Sequence, residues 1–345
     1  MRINQSLEDA SRAQVIRRDL EEYLRRTNPV WRVDGVGPMP HGHSGFSYVV
    51  VASEDARPRR LVLRLPPPRA RPLGPADVVR QGGIMAALAE QGFPVPAVVA
   101  MSGEPVIDGR PFVLLEMVRG ERVEEAWKRT DERRLAFSAV STLRRLHAIP
   151  VAACGLVEEP VGLAADLARW QTLLERSRTD LDLPFERLRG ALASAYPDPR
   201  VPCLVHADYH FGNLLFDEDG TVVAVLDWEI AEIGQPLIDL SCLAVGGMSR
   251  GGEVVGPVPG PAVEARELAA LYEVEAAELA WYCAFSCYKY SAVYAYNLML
   301  HRRGKRVDAF NDGVEPLIAR LLDHGLTILR GHDRTGSAGG GEGGG

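Results

Sequence analysis

Apolar residues recur at helical spacing over 7–26, separated by charged ones, and predict a leading helix. The period then shortens. After the glycine-bearing turn in PMPHGHSG, Phe46, Tyr48 and Val50 fall at strand spacing. A second strand in RRLVLRLPPP stops at Pro66, Pro67 and Pro68, which have no amide to give a ladder. A helix is predicted over 77–91, weakened by Gly82 and Gly83, and short strands over 98–101 and 112–116. Beyond Val118-Arg119-Gly120 long helical periods take over, at 132–147, 163–178 and 185–196. A short β insertion follows in VPCLVH and NLLFDEDGTVVAVLDW, where Asp219-Gly220 suits a hairpin turn. After Pro236 the helical pattern returns, most clearly over 275–303 and 316–330. The expected class is α+β: a small β-rich unit over 1–117, a large mostly helical one over 118–330, and a disordered Gly-rich tail over 331–345.

Composition narrows the function classes. Of 345 residues, 46% are hydrophobic and 25% charged, an ordinary soluble balance. The net charge of -7 argues against a nucleic-acid partner, which calls for a basic face. The five cysteines, Cys154, Cys203, Cys242, Cys283 and Cys287, are odd in number and show no metal-ligand spacing. That usage fits a reducing cytoplasm. The charged amino terminus has no secretory h-region, and no run reaches the roughly 18 apolar residues of a membrane span. A cytoplasmic protein with no membrane partner is expected. The oligomeric state is not legible.

The chemistry concentrates in HADYHFGN, 206–213, and VLDWE, 225–229. Phosphoryl transfer from a triphosphate needs positioning and charge neutralisation more than covalent help. One carboxylate must orient the attacking hydroxyl and accept its proton. A second carboxylate and an amide oxygen must hold magnesium. Asp208, with Asn213 five residues later on a loop leaving a strand, supplies the base and one ligand; the returning hairpin delivers Asp227 as the other. Singly, each has a plainer reading: a structural HxD histidine, a turn asparagine, a strand-end aspartate. Together, at this spacing, they point to a kinase. His206 is expected to brace the loop, and His210 to be a surface or loop residue with no metal role.

With these motifs, the chain resembles the aminoglycoside phosphotransferase family of small-molecule kinases, which includes choline kinase-like members. The flanks look closest to the branch fused to acyl-CoA dehydrogenase-like domains. The resemblance is carried by YVVV, LVLRLPPP, GFPVPAVVA, PFVLLEMVRG, LVHADYHFGNLLF, VLDWEIAEIGQPLIDLS and YCAFSCYKYSAVYAYNLMLHRRG, about 42–304. It implies a protein kinase-like two-lobe fold with Asp208 as base, Asn213 and Asp227 on magnesium, and ATP or GTP as donor. It also implies a hinge at LEMVRG, where adenine bonds the backbone of Glu116 and Val118 while the Glu116 side chain faces solvent. The phosphate-covering loop falls on GHSG, with Gly42, Ser44 and Gly45. Asp239 is implied to brace the active-site loops. Glu229 faces either substrate or backbone. The aromatic set around Tyr290 packs the helix core, some of it lining the acceptor site.

Two positions depart from the family pattern. Arg64 stands where a phosphate-holding lysine is usual, and Gln81 where a glutamate usually pairs that cation. The departures leave a second reading open, a pseudokinase that binds nucleotide or ligand without turnover. A protein kinase is discounted, because HRD, DFG and APE are missing. The acceptor stays open: an aminoglycoside, a macrolide, a nucleoside antibiotic, a choline-like alcohol or a hydroxyacyl compound each offers the required hydroxyl.

Overall fold

The computed structural model describes residues 2–39, 46–71, 73–177, 181–246, 249–250, 253–254 and 263–336. The chain forms two units. The first comprises Met1–Gly120, Ala152–Leu156 and Val223–Ile230, and the second the remainder. Asp227 thus belongs to the first unit, although the sequence pattern gives no sign that 223–230 returns there.

The first unit begins with α1 (Arg2–Thr27). Its sheet contains β1 (Trp31–Pro38), β2 (Ser47–Glu54), β3 (Arg57–Arg64), β4 (Val98–Ile107) and β5 (Arg110–Glu116), and α2 (Val78–Glu90) lies between β3 and β4 in sequence. The strands pair antiparallel in the order β1-β2-β3-β5-β4. The β2–β3 register sets Tyr48 opposite Leu63 and Val50 opposite Leu61, so all four share one face. Ile16, Leu20 and Leu24 recur every fourth residue on α1 and cover that face together with Phe112 and Leu114. The alternate residue of β5, Val113, meets α2 on the opposite side. β5 is therefore buried on both faces, which explains its unbroken apolar run.

β1 was not foreseen. A register shift between Val33 and Gly35 breaks its alternation at Asp34, erasing the period that announces a strand. β4 also runs further than its apolar start, through exposed positions from Gly103 to Pro105.

The second unit contains α3 (Val123–Ala126), α4 (Glu132–His147), α5 (Leu163–Ser177), α6 (Phe185–Ser194), β6 (Cys203–Val205) and β7 (Leu214–Phe216). β8 (Val222–Val225) carries the chain into the first unit, and β9 (Glu232–Gly234) follows its return. Then come α7 (Leu237–Gly246), α8 (Ala265–Tyr272), α9 (Ala276–Arg302) and α10 (Glu315–Gly336). α4 starts on Asp131, whose carboxylate accepts the Arg133 amide, and ends in Arg144, Arg145 and His147, which suit its negative end. α9 is the axis of the unit and packs against α5, α6, α7, α8 and α10. That central place explains why it is buried on every side from Trp281 to Ala292. α10 continues to Gly336, past the expected start of the tail at 331. Among the described residues no helix is long and apolar enough to cross a membrane.

Gly82 and Gly83 both cost α2 helix propensity, for different reasons. A Cβ at Gly82 would lie 2.9 Å from both Met101 Sδ and Val113 Cγ2, whereas nothing lies within 4 Å of one at Gly83. Gly82→Leu is expected to destabilise the protein by about 1–3 kcal/mol through overpacking. Gly83→Ala is expected to stabilise it by up to about 1 kcal/mol. Urea unfolding midpoints of the two variants check this; shifts of the same sign would refute the packing account.

Candidate active site

The loop between β6 and β7 carries HADYHFGN, and buried partners on all sides fix its shape. Ala207 adopts a left-handed conformation at φ 63, unusual for a residue with a Cβ. Two consecutive amides hold it there. His206 N–H donates to Asp239 Oδ2 at 2.8 Å and Ala207 N–H to Asp239 Oδ1 at 2.7 Å. Asp239 sits in the first turn of α7 with no exposure at all. The third donor to its carboxylate is His147 Nε2 at 3.1 Å; the other ring nitrogen, Nδ1, then accepts from the Tyr272 hydroxyl at 2.7 Å. Burial pushes the Tyr272 hydroxyl pKa up, so it keeps its proton for that bond. Downstream, the Tyr209 hydroxyl donates to the Ala139 carbonyl at 2.8 Å and ties the loop to α4. His206 braces the loop through its Nδ1, which accepts the Asp208 amide at 3.2 Å.

Asp208 is the half-buried residue that this frame presents. Its Oδ1 accepts the Tyr290 hydroxyl at 3.1 Å and lies 3.4 Å from Lys289 Nζ. Its Oδ2 lies 3.4 Å from His210 Nε2. Burial pushes the carboxyl pKa up, but Lys289 and then His210 outweigh it and hold Asp208 well below the usual carboxylate range. Burial likewise opposes the charge on Lys289, yet Cys242, Asp208, Asp166 and Asp239 keep its pKa above the ordinary value. His210, expected to be a surface or loop residue, lies on the loop, is only 12% exposed in its side chain and stands against the candidate base. Neither Lys289 nor Tyr290 was singled out from sequence as a partner of Asp208. The available signal was a lysine inside the apolar, aromatic run YCAFSCYKYSAVYAY, where a charge demands a partner.

Asn213 closes a short 3₁₀ turn. Its Nδ2 donates to the Asp208 carbonyl at 3.0 Å, leaving Oδ1 as the donor atom for a cation.

In the first unit, Asp227 follows β8 in a left-handed conformation, φ 63, with its side chain 41% exposed. Arg64, the last residue of β3, donates from Nη2 to Asp227 Oδ1 at 3.0 Å, and the same nitrogen lies 3.8 Å from Glu229 Oε2. Arg64, Asp227 and Glu229 are thus brought together. Gln81 is a correction: it does not orient Arg64. Its side chain is buried and turned back on its own helix start, where Nε2 donates to the Pro75 carbonyl at 3.0 Å. The Glu116 side chain is another correction. It pairs with Arg59 instead of facing solvent freely, because β3 and β5 are ladder neighbours. The Glu116 amide is used within the sheet, donating to the Ala97 carbonyl at 2.9 Å, while Val118 is half-buried just beyond β5. Gly42, Ser44 and Gly45 lie outside the described residues.

An antiparallel sheet with one internal helix, followed by a mostly helical unit that presents an HxD loop, defines a kinase-like α+β fold. The model of the phosphotransferase enzyme family matches residues 40–282, and the chain belongs to that family. Acyl-CoA dehydrogenase family member 10 of Mus musculus is 30% identical over 242 residues, covering 65% of this chain and 22% of that protein. The curated relatives also include acyl-CoA dehydrogenase family member 11 of Rattus norvegicus, 27% identical over 66% of this chain and 31% of its own length. The chain therefore spans less than a third of either relative. Among solved structures, a Ralstonia eutropha protein assigned to the aminoglycoside phosphotransferases aligns with TM-score 0.69 and 19% identity, over 91% of this chain and 98% of that one. That structure shares the fold.

Asp239 should behave as the keystone of the loop. Asp239→Ala would leave the amides of His206 and Ala207 and the His147 ring without their buried acceptor. The expected loss is about 3–5 kcal/mol, the scale for removing one side of a buried charged network. Chemical denaturation measures it, and hydrogen exchange at His206 and Ala207 should speed up in parallel. Parent-like stability and protection would refute the role.

Proposed function

We propose that this chain is a small-molecule phosphotransferase that moves the γ-phosphate of ATP or GTP onto an alcohol hydroxyl, with Asp208 as the base. The observation that carries this reading is the placing of Asp208 on a loop braced by Asp239, with Oδ1 beside Tyr290 and Lys289 and Oδ2 beside His210. An acceptor hydroxyl hydrogen-bonded to Oδ2 would have its oxygen oriented for attack on the γ-phosphorus. The new bond forms as the bond to the leaving diphosphate oxygen breaks, and the hydroxyl proton passes to Asp208. A carboxylate held so acidic is a weak base. That suffices in a loose transition state, where the proton leaves late and orientation supplies most of the gain.

Asn213 and Asp227 are the proposed magnesium ligands. Asn213 keeps Oδ1, and Asp227, whose Oδ1 is taken by Arg64, keeps Oδ2. So sparse a donor set suits an ion that completes its shell with phosphate oxygens and water. Bound there, the ion would neutralise charge on the transferring phosphoryl group. Arg64 is the phosphate-holding cation in this reading, and Glu229 tempers it in place of the family's helix glutamate. The backbone of Glu116 and Val118 would take the adenine, and Gly42, Ser44 and Gly45 the phosphate-covering loop. The acceptor is a small hydroxylated molecule. The aminoglycoside phosphotransferase APH(4)-Ia, solved with AMP-PNP and hygromycin B, has the same fold at TM-score 0.58 and 17% identity, which supports a triphosphate donor.

The pseudokinase reading draws support from one observation: Asp227 is already engaged by Arg64. Product formation decides between the two. Incubation with γ-labelled ATP or GTP, magnesium and a panel of aminoglycosides, macrolides, choline-like alcohols and hydroxyacyl compounds should yield a labelled product. No transfer to any acceptor would favour the pseudokinase.

Three variants test the residue roles. Asp208→Asn should cut kcat by about 10²–10⁴ while leaving nucleotide affinity near the parent value. Asp227→Ala should abolish magnesium-dependent triphosphate binding in calorimetric titration. Arg64→Ala should lower kcat/KM by about 10–100-fold, the scale of a charge-assisted contact. An unchanged value for any of the three removes that residue from its role.

A further inference from the structure

Lys289 lies far from Asp208 in sequence, on the central helix α9, with its side chain 2% exposed. Removing an ammonium from water costs several kcal/mol, and an apolar chain of similar length usually packs as well or better. Packing alone therefore does not account for it. Its three N–H donors have three acceptors: the Ala207 carbonyl, Asp208 Oδ1 at 3.4 Å and Cys242 Sγ at 3.5 Å. The rings of Trp170 and Tyr290, with centroids 5.4 and 5.1 Å away, shield the ammonium with their π faces.

This arrangement acts on the same loop residue that Asp239 holds. Asp239 grips the amide of Ala207, and Lys289 grips its carbonyl, so the left-handed residue before Asp208 is clamped at both ends. The same ammonium and the next residue, Tyr290, both engage Oδ1. A carboxylate turns easily about its last bond unless partners hold its oxygens. Among the described residues, Oδ1 has two donors and Oδ2 has His210 at 3.4 Å.

We propose that Lys289 is a positioning residue for Asp208: its sealed ammonium locks Oδ1 and the Ala207 carbonyl in place, so that Oδ2 is the oxygen that meets the acceptor hydroxyl. This rests on the phosphotransferase reading above. Lys289 touches neither donor nor acceptor, and acts through the angle and place of the carboxylate.

The test compares the full chain with Lys289→Met, Lys289→Arg, Asp208→Asn and the double variant Lys289→Met/Asp208→Asn. The assay uses γ-labelled ATP and the acceptor that the parent phosphorylates. Lys289→Met is expected to lower kcat by about 10²-fold, the cost of a misplaced reacting group, with KM for magnesium-ATP changed less than about twofold. Lys289→Arg, which keeps the charge, should recover part of that loss. In the Asp208→Asn background Lys289→Met should cost nothing further, because the carboxylate it positions is gone. Should Lys289→Met fail to fold, Lys289→Gln, which keeps an N–H for the Ala207 carbonyl, takes its place in the same cycle. Full kcat in the neutral variant, or an equal loss in both backgrounds, would overturn the proposal, the second result marking a merely structural lysine. A parent that transfers phosphate to no acceptor overturns the phosphotransferase reading and this inference with it. An active parent with an indifferent Lys289 overturns this inference alone.

Discussion

One carboxylate holds the candidate site together. Asp239 accepts two consecutive amides, His206 and Ala207, with its two oxygens, and this pair of bonds makes the left-handed turn at Ala207 tenable. Without it, a residue with a Cβ at φ 63 would relax toward the extended region, and Asp208 would leave its place beside Lys289 and Tyr290. The geometry is unforgiving because Asp239 has no exposure, so water cannot replace a lost partner. Its own orientation is inherited from His147 and, through the imidazole, from Tyr272. The chain of hydrogen bonds thus begins at α8, crosses the end of α4 and reaches the loop through α7.

The first unit achieves rigidity differently. Its sheet is covered by α1 on one face, through Ile16, Leu20 and Leu24, and approached by α2 on the other, where Gly82 removes the Cβ that would strike Val113. Close approach without a side chain is a backbone constraint, so the glycine that looked like a defect in a predicted helix is a condition of packing. The reward is a fixed β3, whose last residue, Arg64, then reaches Asp227 and Glu229 with a well-defined guanidinium.

Much of this was legible in the sequence, and the misses share a cause. The period over 132–147 matches α4 to the residue, and 275–303 matches α9 within one residue at each end, since long runs repeat their signal many times. β1 was hidden by its bulge, and β9 by a length of three residues. In the candidate site, the placing of Asp208 and Asn213 on one loop was readable because their relation is local, five residues apart. Lys289 and Tyr290 reach Asp208 from across the fold, and no local spacing encodes that contact. His210 was read as peripheral because a loop histidine usually is; its neighbour Asp208 and the approach of α7 at Gly246 enclose it. Gln81 was assigned a partner by analogy with a glutamate. Its buried amide instead turns to the Pro75 carbonyl, and Arg64 finds carboxylates beyond β8.

The two cations of the candidate machinery differ in one respect that separates their tasks. Arg64 is 17% exposed in its side chain and its partner Asp227 41%, so solvent and a phosphate can reach both groups. A pair of that kind is held loosely, its attraction screened by water, and its guanidinium can exchange a carboxylate for phosphate oxygens at little cost. Lys289 is 2% exposed and spends all three N–H groups on protein acceptors. No ligand can reach it without dismantling the loop, so its charge can act only on the groups it already touches. In the proposed reaction the more accessible cation would bind, and the sealed one would shape what Asp208 presents.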